Sequence, residues 1–428
     1  MWGAAKQISY RNHKMIQNQT LTFILAGGEG SRLYPLTARR SKPSVPFGGK
    51  YRIIDFTLTN CLHSGLRRVL VLTQYKSHSL NKHLRDGWSV FNPELGEYIT
   101  PVPAQMNRGE HWYEGTADAI FQNLNLIERS NSKYTMILSG DHIYRMDYEA
   151  MLIAHEDSGA DVTIACMEVT REEARAFGVV VINENQQIIA FEEKPEQPTP
   201  IPSDPQKALV SMGLYVFSTE LLTEALMHDQ QMKASSHDFG KDVLPRLVQG
   251  KKVYAYQFGG ERGRVTPDRY WRDVGTIDAY YKANIDLLAP VPPLDLYQKN
   301  WPVRTYQPQT PPARTIPGTS GTEGVFINSI LSSGVVISGG NIRDSILFAG
   351  IYVDDKATIE KSILFNDVQV GAGARLKNCI IDKSVNIPPG EEIGHDLAKD
   401  RQRFTVTETG IVVVPHGFVF SGYLESSS

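Results

Sequence analysis

LTFILAGGEGSRL, residues 21–33, places a short aliphatic and β-branched run directly ahead of Gly27, Gly28 and Gly30 and then Arg32. A run of that length and β-branched content suits a strand. The glycines let the chain turn tightly and approach a ligand, and successive N–H groups at a helix start make an anion-binding concavity. The segment therefore predicts a phosphate loop at the carboxyl end of a first strand. It is neither GxGxxG nor GxxxxGK[ST], so dinucleotide-binding and Walker-type readings fit poorly. A plain strand-to-helix turn would use the same glycines; the cations that follow, Arg32, Arg39, Arg40 and Lys42, favour a polyphosphate ligand.

Outward from this loop, strand-like runs LTFIL, RRVLVLTQY, YTMILSG, DVTIACMEV and MGLYVF alternate with helical stretches such as DAIFQNLNLIERS and DYEAMLIAHEDSG. The alternation predicts an α/β unit over 20–289, with a mostly parallel sheet, helices on both faces and ligands at the carboxyl ends of the strands. Residues 290–321 are rich in proline and read as an extended linker. Beyond them the sequence repeats. Ser329-Ile-Leu, Ser345-Ile-Leu, Ser362-Ile-Leu and Cys379-Ile-Ile begin at intervals of 16, 17 and 17 residues. Val335-x-Ile337, Ile351-x-Val353, Val368-x-Val370 and Val385-x-Ile387 keep step with them, as do Ile342, Ile359, Leu376 and Ile393. Three registers in phase predict a three-sided parallel β-helix over 322–428, left-handed by likeness to hexapeptide-repeat folds. The sequence after Arg401 should close its end, and Ile411-Val-Val-Val reads as an exposed apolar patch for subunit contacts.

With 428 residues, the chain is long enough for two or three domains with cores of their own. Its 44 Lys plus Arg against 47 Asp plus Glu leave a net charge of -3, without the footprint of a nucleic-acid or membrane-surface binder. Small molecules and copies of itself are the expected partners. Cys61, Cys166 and Cys379 lack metal-ligand spacing and read as reduced thiols. The opening MWGAAKQISYRNHKMIQNQT resembles no secretion signal, and no apolar window reaches membrane-spanning length, so a cytoplasmic location is expected.

The blocks LAGGEGSRLYPLT, SKPSVPFGGKYRIIDFTLTN, GTADAI, LSGDHIYRMDY, FGVV, FEEKP, SMGLYVF, SSHDFGKDVLP and YWRDVGT, in that order, resemble the ADP-glucose pyrophosphorylases, or glucose-1-phosphate adenylyltransferases, of the bacterial glycogen pathway. The likeness covers nearly the whole chain. It implies a Rossmann-like nucleotidyltransferase domain that makes ADP-glucose and diphosphate from ATP and glucose 1-phosphate, in an allosterically controlled homotetramer.

In that reaction the nucleophile is an already ionised phosphate oxygen, so positioning and charge neutralisation must supply catalysis. Two polyanions approaching each other call for a divalent cation, and Mg²⁺ takes carboxylates plus substrate phosphates. Asp141, directly after the strand YTMILSG, stands at the carboxyl end of the sheet; alone it could be a turn or capping aspartate. The resemblance gives it a metal or catalytic role beside Arg32 and Lys42, and makes Asp273 of YWRDVGT the second metal carboxylate. For the sugar phosphate, Lys194 offers a charge and Glu193 an acceptor for hydroxyls. The resemblance adds Tyr113, Gly178 and Ser211 there, and Gly27, Gly28, Gly30 and Gln74 at ATP. Asp141-His142 and Ser236-His237-Asp238 lack a GxSxG partner, so their histidines read as local hydrogen-bonding positions.

Other readings stay open at this level: a sugar-1-phosphate nucleotidyltransferase using UTP, dTTP or GTP, a non-catalytic regulatory subunit, and an acyltransferase built on the β-helix. The presence of Arg32, Lys42, Asp141, Lys194 and Asp273 argues against the second, and the coils hold no candidate catalytic histidine. The resemblance further implies a site for phosphorylated metabolite effectors near the domain junction, matched by Arg39, Arg40, Arg52 and Lys383. Arg39 and Pro46 depart from the enteric pattern of Lys and His, which leaves the effector open.

Overall fold

The computed structural model describes residues 16–105, 112–260, 263–265 and 269–420. Most of the N-terminal stretch read above, and residues 421–428 of the expected C-terminal unit, lie outside them. The first unit contains strands β1 (Thr20–Leu25), β2 (Pro46–Phe47), β3 (Tyr51–Arg52), β4 (Arg68–Thr73), β5 (Tyr98–Pro103), β6 (Tyr134–Ser139), β7 (His142–Tyr144), β8 (Val162–Thr170), β9 (Gly178–Ile182), β10 (Ile188–Glu193), β11 (Lys207–Ser218), β12 (Val253–Gln257) and β13 (Trp271–Asp273). Nine of them form one sheet in the order β10-β9-β11-β6-β1-β4-β5, with β8 lying along β11 and β12 along β8. The half that carries the glycine loop, β6-β1-β4-β5, is entirely parallel. The long β11 joins it antiparallel to β6.

Alternation along these strands builds a core on each face of the sheet. Phe23, Leu70, Leu72 and Ile137 belong to one cluster, with Ile120 and Phe121 of helix Thr116–Phe121 and Leu222 of helix Thr219–Asp229. Ile24, Val69, Val71, Met136 and Leu138 belong to the other, with Leu58 of helix Ile54–His63, Leu84 of helix His78–Trp88 and Met151 of helix Tyr148–Ser158. Helix cover on both faces is why β1 and β6 are buried almost throughout.

Two sequence expectations change in detail. DAIFQNLNLIERS is two helices, Thr116–Phe121 and Leu124–Ser130. The break falls at Asn123, whose side-chain amide donates to the Ala119 carbonyl (2.8 Å) and to the Tyr113 hydroxyl (3.0 Å). MGLYVF is the end of the longer β11, whose register against β8 shifts between Ser211 and Tyr215. Gly213 lies in that shift at φ 71°.

From 290 to 313 the chain forms neither helix nor strand but lies on the first unit, with Leu294 and Trp301 buried and the Trp301 indole donating to Asn60. The β-helix begins ahead of Thr322: Arg314–Ile316 already pairs with Val336–Ser338. Its three sheets are parallel stacks in which the expected registers fall opposite one another. Ile342 pairs with Ile359, Ile359 with Leu376, and Leu376 with Ile393, all buried. Ile337, Val353, Val370 and Ile387 line up in the same way, as do Ile330, Ile346, Ile363 and Ile380. This is the stacking of a left-handed β-helix of hexapeptide type. Helix Leu397–Arg401 and strands Thr405–Val406 and Val412–Val414 follow the last coil. Val412, Val413 and Val414 are fully buried against Cys379–Ile381, so this stretch is internal packing and not an exposed contact patch. Cys61, Cys166 and Cys379 are buried thiols, raised well above the ordinary range by desolvation. Among the described residues no helix is long and apolar enough to cross a membrane.

Candidate active site

β1 ends at Leu25, and the backbone of Ala26 stays tied to β4 through Leu72 (2.9 Å) before the glycine turn leaves the sheet. Gly30 has φ 68°, and a Cβ there would lie 3.1 Å from Thr37 Cγ2 and 3.2 Å from Lys42 Cβ, so the turn needs glycine for both conformation and space. The loop opens into a cavity of about 540 Å³ at the carboxyl ends of β1, β4 and β6. Gly27, Gly28, Gly30, Arg32, Lys42, Gln74, Tyr113 and Asp141 all line it.

The floor is built by two short segments. Asp141 follows β6, and the next residues form β7, which pairs antiparallel with β13 so that Asp273 lies opposite His142. Sequence positions far apart thus meet: Lys42 Nζ donates to Asp141 Oδ2 and to Asp273 Oδ1, both at 2.8 Å. Asp141 Oδ1 accepts from the Ser139 hydroxyl. Burial raises the Asp141 carboxyl, but the charge of Lys42, then of His142, outweighs it and holds the group well below the usual carboxylate range. Burial also opposes the charge on Lys42, and the two carboxylates overcome it, so the ammonium is kept protonated. Asp141, His142 and Asp273 offer ligand atoms within 4.8 Å of one another. Two carboxylates already gathered around one cation are a donor set that suits a hard divalent ion such as Mg²⁺.

His142 lies beside this group, with Nε2 3.4 Å from Asp141 Oδ1 and its ring edge-on to Trp271 at a centroid distance of 5.0 Å. His237 keeps the structural role expected of it, with Nδ1 2.7 Å from Asp229 Oδ2.

The sugar-phosphate candidates lie beside this floor and not in the lining of the cavity, apart from Tyr113. Glu193 ends β10 opposite Gly178, and Lys194 Nζ lies 3.3 Å from Glu193 Oε1. A Cβ at Gly178 would come within 2.5 Å of the Phe191 ring, and one at Gly240 within 2.7 Å of Glu193 Oε2. Glu193 is therefore packed next to Asp238, which does line the cavity. Ser211 accepts from the Gly213 backbone at 3.2 Å, and Gly213 borders His142. Glu114 lines the cavity without having been read from sequence, and so do Tyr75, Gly115, Thr116, Ser139 and Asp238, which the sequence offered only within longer runs and without a ligand role. Thr116 donates to Asp238 Oδ2 (3.0 Å), and Ala117 N–H donates to the His237 carbonyl (2.9 Å). The blocks GTADAI and SSHDFGKDVLP thus form one wall, a pairing that neither block reveals alone.

Three of the basic residues expected at an effector site, Arg40, Arg52 and Lys383, gather at the junction of the two units. Arg40 Nη2 is 2.8 Å from Asp382 Oδ1, and both side chains are buried. Arg52 Nη1 donates to Ser79 O and Oγ at 2.8 and 2.9 Å. Lys383 is pushed down to about 8 by burial and then by Arg52 and Arg40, with Asp382 and Asp367 opposing. Arg39 is exposed.

A nucleotidyl transferase family model matches residues 21–289, and a GlmU-like C-terminal hexapeptide model matches 311–414. Glucose-1-phosphate adenylyltransferase 2 of Vibrio cholerae is 60% identical over 402 residues, covering 94% of this chain and 99% of its own. The protein of the same name from Vibrio vulnificus is 61% identical over 400 residues, at the same coverage. The glucose-1-phosphate adenylyltransferase of Rhodopirellula baltica is 48% identical over 420 residues, covering 97% of this chain and 94% of its own. Identity sustained through both the glycine-loop unit and the β-helix leaves one assignment: the chain belongs to the glucose-1-phosphate adenylyltransferase family of nucleotidyl transferases.

Proposed function

We propose that this protein transfers the adenylyl group of ATP to the phosphate of glucose 1-phosphate, yielding ADP-glucose and diphosphate, in the service of α-glucan (glycogen) synthesis. The observation that carries the reading is the single cavity in which the glycine loop, Arg32, Lys42 and Asp141 converge, with Asp273 on the same ammonium. A phosphate oxygen of the sugar ester forms a bond to the α-phosphorus as the bond to the diphosphate oxygen breaks, and no proton has to move. The glycine-loop N–H groups would cradle the triphosphate, and Arg32 and Lys42 would neutralise its charge. Gln74, with the Gly115–Thr116 turn, would bound the base, and Tyr113, on the same cavity wall, would meet the sugar phosphate. Glu193, Lys194, Ser211 and the backbone at Gly178 would hold the sugar phosphate. Asp141 and Asp273 would hold Mg²⁺, which lowers the charge barrier between the two phosphates.

The test is product analysis by chromatography with Mg²⁺, glucose 1-phosphate and each of ATP, UTP, dTTP and GTP. ADP-glucose should form fastest. Faster turnover of UTP or dTTP would overturn the adenylyl assignment. We further propose a cytoplasmic homotetramer in which Arg39, Arg40, Arg52 and Lys383 bind phosphorylated effectors; the gathering of the last three at the domain junction supports this.

A further inference from the structure

The two aspartates that would hold the metal are already engaged by a cation of the chain itself. Lys42 Nζ lies 2.8 Å from an oxygen of each, and its side chain is only 9% exposed. A divalent ion needs those same oxygen lone pairs, and its charge repels an ammonium a few ångströms away. The base of the lysine is fixed: Lys42–Ser44 is a buried 3₁₀ turn, and Cβ packs against the glycine loop at Gly30. Beyond Cβ the stem is flexible, and it lines the same cavity as Gly27, Gly28 and Gly30. Phosphates seated on that loop would offer the ammonium an alternative partner within reach of its stem.

We propose that the Lys42 ammonium and the divalent cation compete for Asp141 and Asp273, so that the metal is held tightly only after the nucleotide's phosphates draw Lys42 away. This rests on the metal-dependent reading above and adds to it a coupling. Nucleotide raises metal affinity and metal raises nucleotide affinity by one common factor, and Lys42, which exchanges the carboxylates for the phosphates, sets it.

Mn²⁺ alone is the probe, with binding followed by its electron paramagnetic resonance signal at fixed ionic strength. Without nucleotide, Lys42→Met and Lys42→Gln should each bind Mn²⁺ at least about tenfold more tightly than the unmodified protein. Equal or weaker binding in folded variants would overturn the competition. A measurement on the unmodified protein covers the case of variants that do not fold. Acetylation of Lys42, read by mass spectrometry, should rise as Mn²⁺ saturates the site, and unchanged labelling at saturation would overturn the proposal. If Asp141→Asn and Asp273→Asn each bound Mn²⁺ as the unmodified protein does, the metal reading itself would fall, and the competition with it.

Discussion

At the scale of single residues, the candidate site makes separable demands on charge and on shape. Asp141→Asn keeps the shape of the side chain but removes the charge that Lys42 and a metal would share. We expect kcat to fall on the order of 10²–10³, the scale of losing one preorganised electrostatic contact with the transition state, while KM for ATP changes less. Steady-state kinetics with near-normal kcat would remove Asp141 from the reaction. Lys194 poses a different problem, because it holds φ 46°, in the left-handed region that L side chains disfavour. Lys194→Ala removes the charge and keeps the strain, whereas Lys194→Gly removes both. Both should raise KM for glucose 1-phosphate roughly tenfold or more and leave KM for ATP nearly unchanged. A near-normal KM for glucose 1-phosphate in the folded glycine variant, which also lacks the ammonium, would show that this charge does not bind the sugar phosphate.

At the scale of elements, the β-helix was the most legible part of the sequence, because each coil spends one buried aliphatic residue per side and the period survives in one-dimensional spacing. The same spacing hides two further devices. Asn328, Asp344, Lys361 and Asn378, one per coil, all turn a corner with φ between 46° and 48°. The serines that follow form a ladder: Ser345 N–H donates to Ser329 Oγ (3.1 Å), Ser362 N–H to Ser345 Oγ (3.1 Å), and Cys379 N–H to Ser362 Oγ (3.4 Å). Ser362 Oγ also donates to the Glu360 carbonyl at 2.7 Å. Ser362→Ala should therefore cost about 1–3 kcal/mol, the penalty of buried groups left without partners. Lys361→Asn, which puts a residue tolerant of the left-handed region at that corner, should gain about 0.5–1 kcal/mol. Opposite shifts of the thermal midpoint would check the pair, and a destabilising Lys361→Asn would remove corner strain as the explanation. In the first unit the glycine loop and Asp141 were legible because the end of a buried strand is a local signal. The bridging of Asp141 and Asp273 by Lys42, and the wall shared by Thr116 and Asp238, were not. They depend on β7 pairing with β13 and on two distant loops meeting, which no local pattern encodes. The start of the solenoid was missed because Arg314–Ile316 pairs on one side only and lies in proline-rich sequence.

At the scale of the whole molecule, the two units share one core. Leu33, Val45 and Phe47 of the first belong to the same apolar cluster as Ile346, Phe365 and Ile380 of the second, and the Tyr280 ring meets Phe365 edge-on at 6.5 Å. Removing the β-helix would expose that cluster, so truncation is a poor way to ask what the junction does. The buried Arg40–Asp382 pair asks it better. Around it, Arg52 and Lys383 add positive charge, and Asp367 is the further anion acting on Lys383. Because the folded state lowers the Lys383 pKa to about 8, the unfolded chain binds more protons between pH 8 and the ordinary lysine value. Lys383 thus works against stability below pH 8, and stability should rise as the pH climbs past it; Lys383→Met should raise the melting temperature at pH 7 and flatten that rise. Asp382→Asn goes the other way. It leaves the Arg40 guanidinium buried without its anion, and breaking such a pair typically costs about 3–5 kcal/mol. An anion seated at the junction would replace the missing charge, so inorganic phosphate should recover more stability in Asp382→Asn than in the unmodified protein, against chloride at equal ionic strength. A phosphate effect no larger in Asp382→Asn would mean that the anion does not take the place of the Asp382 carboxylate, and none on either melting curve would mean that the cations at the junction form no anion site.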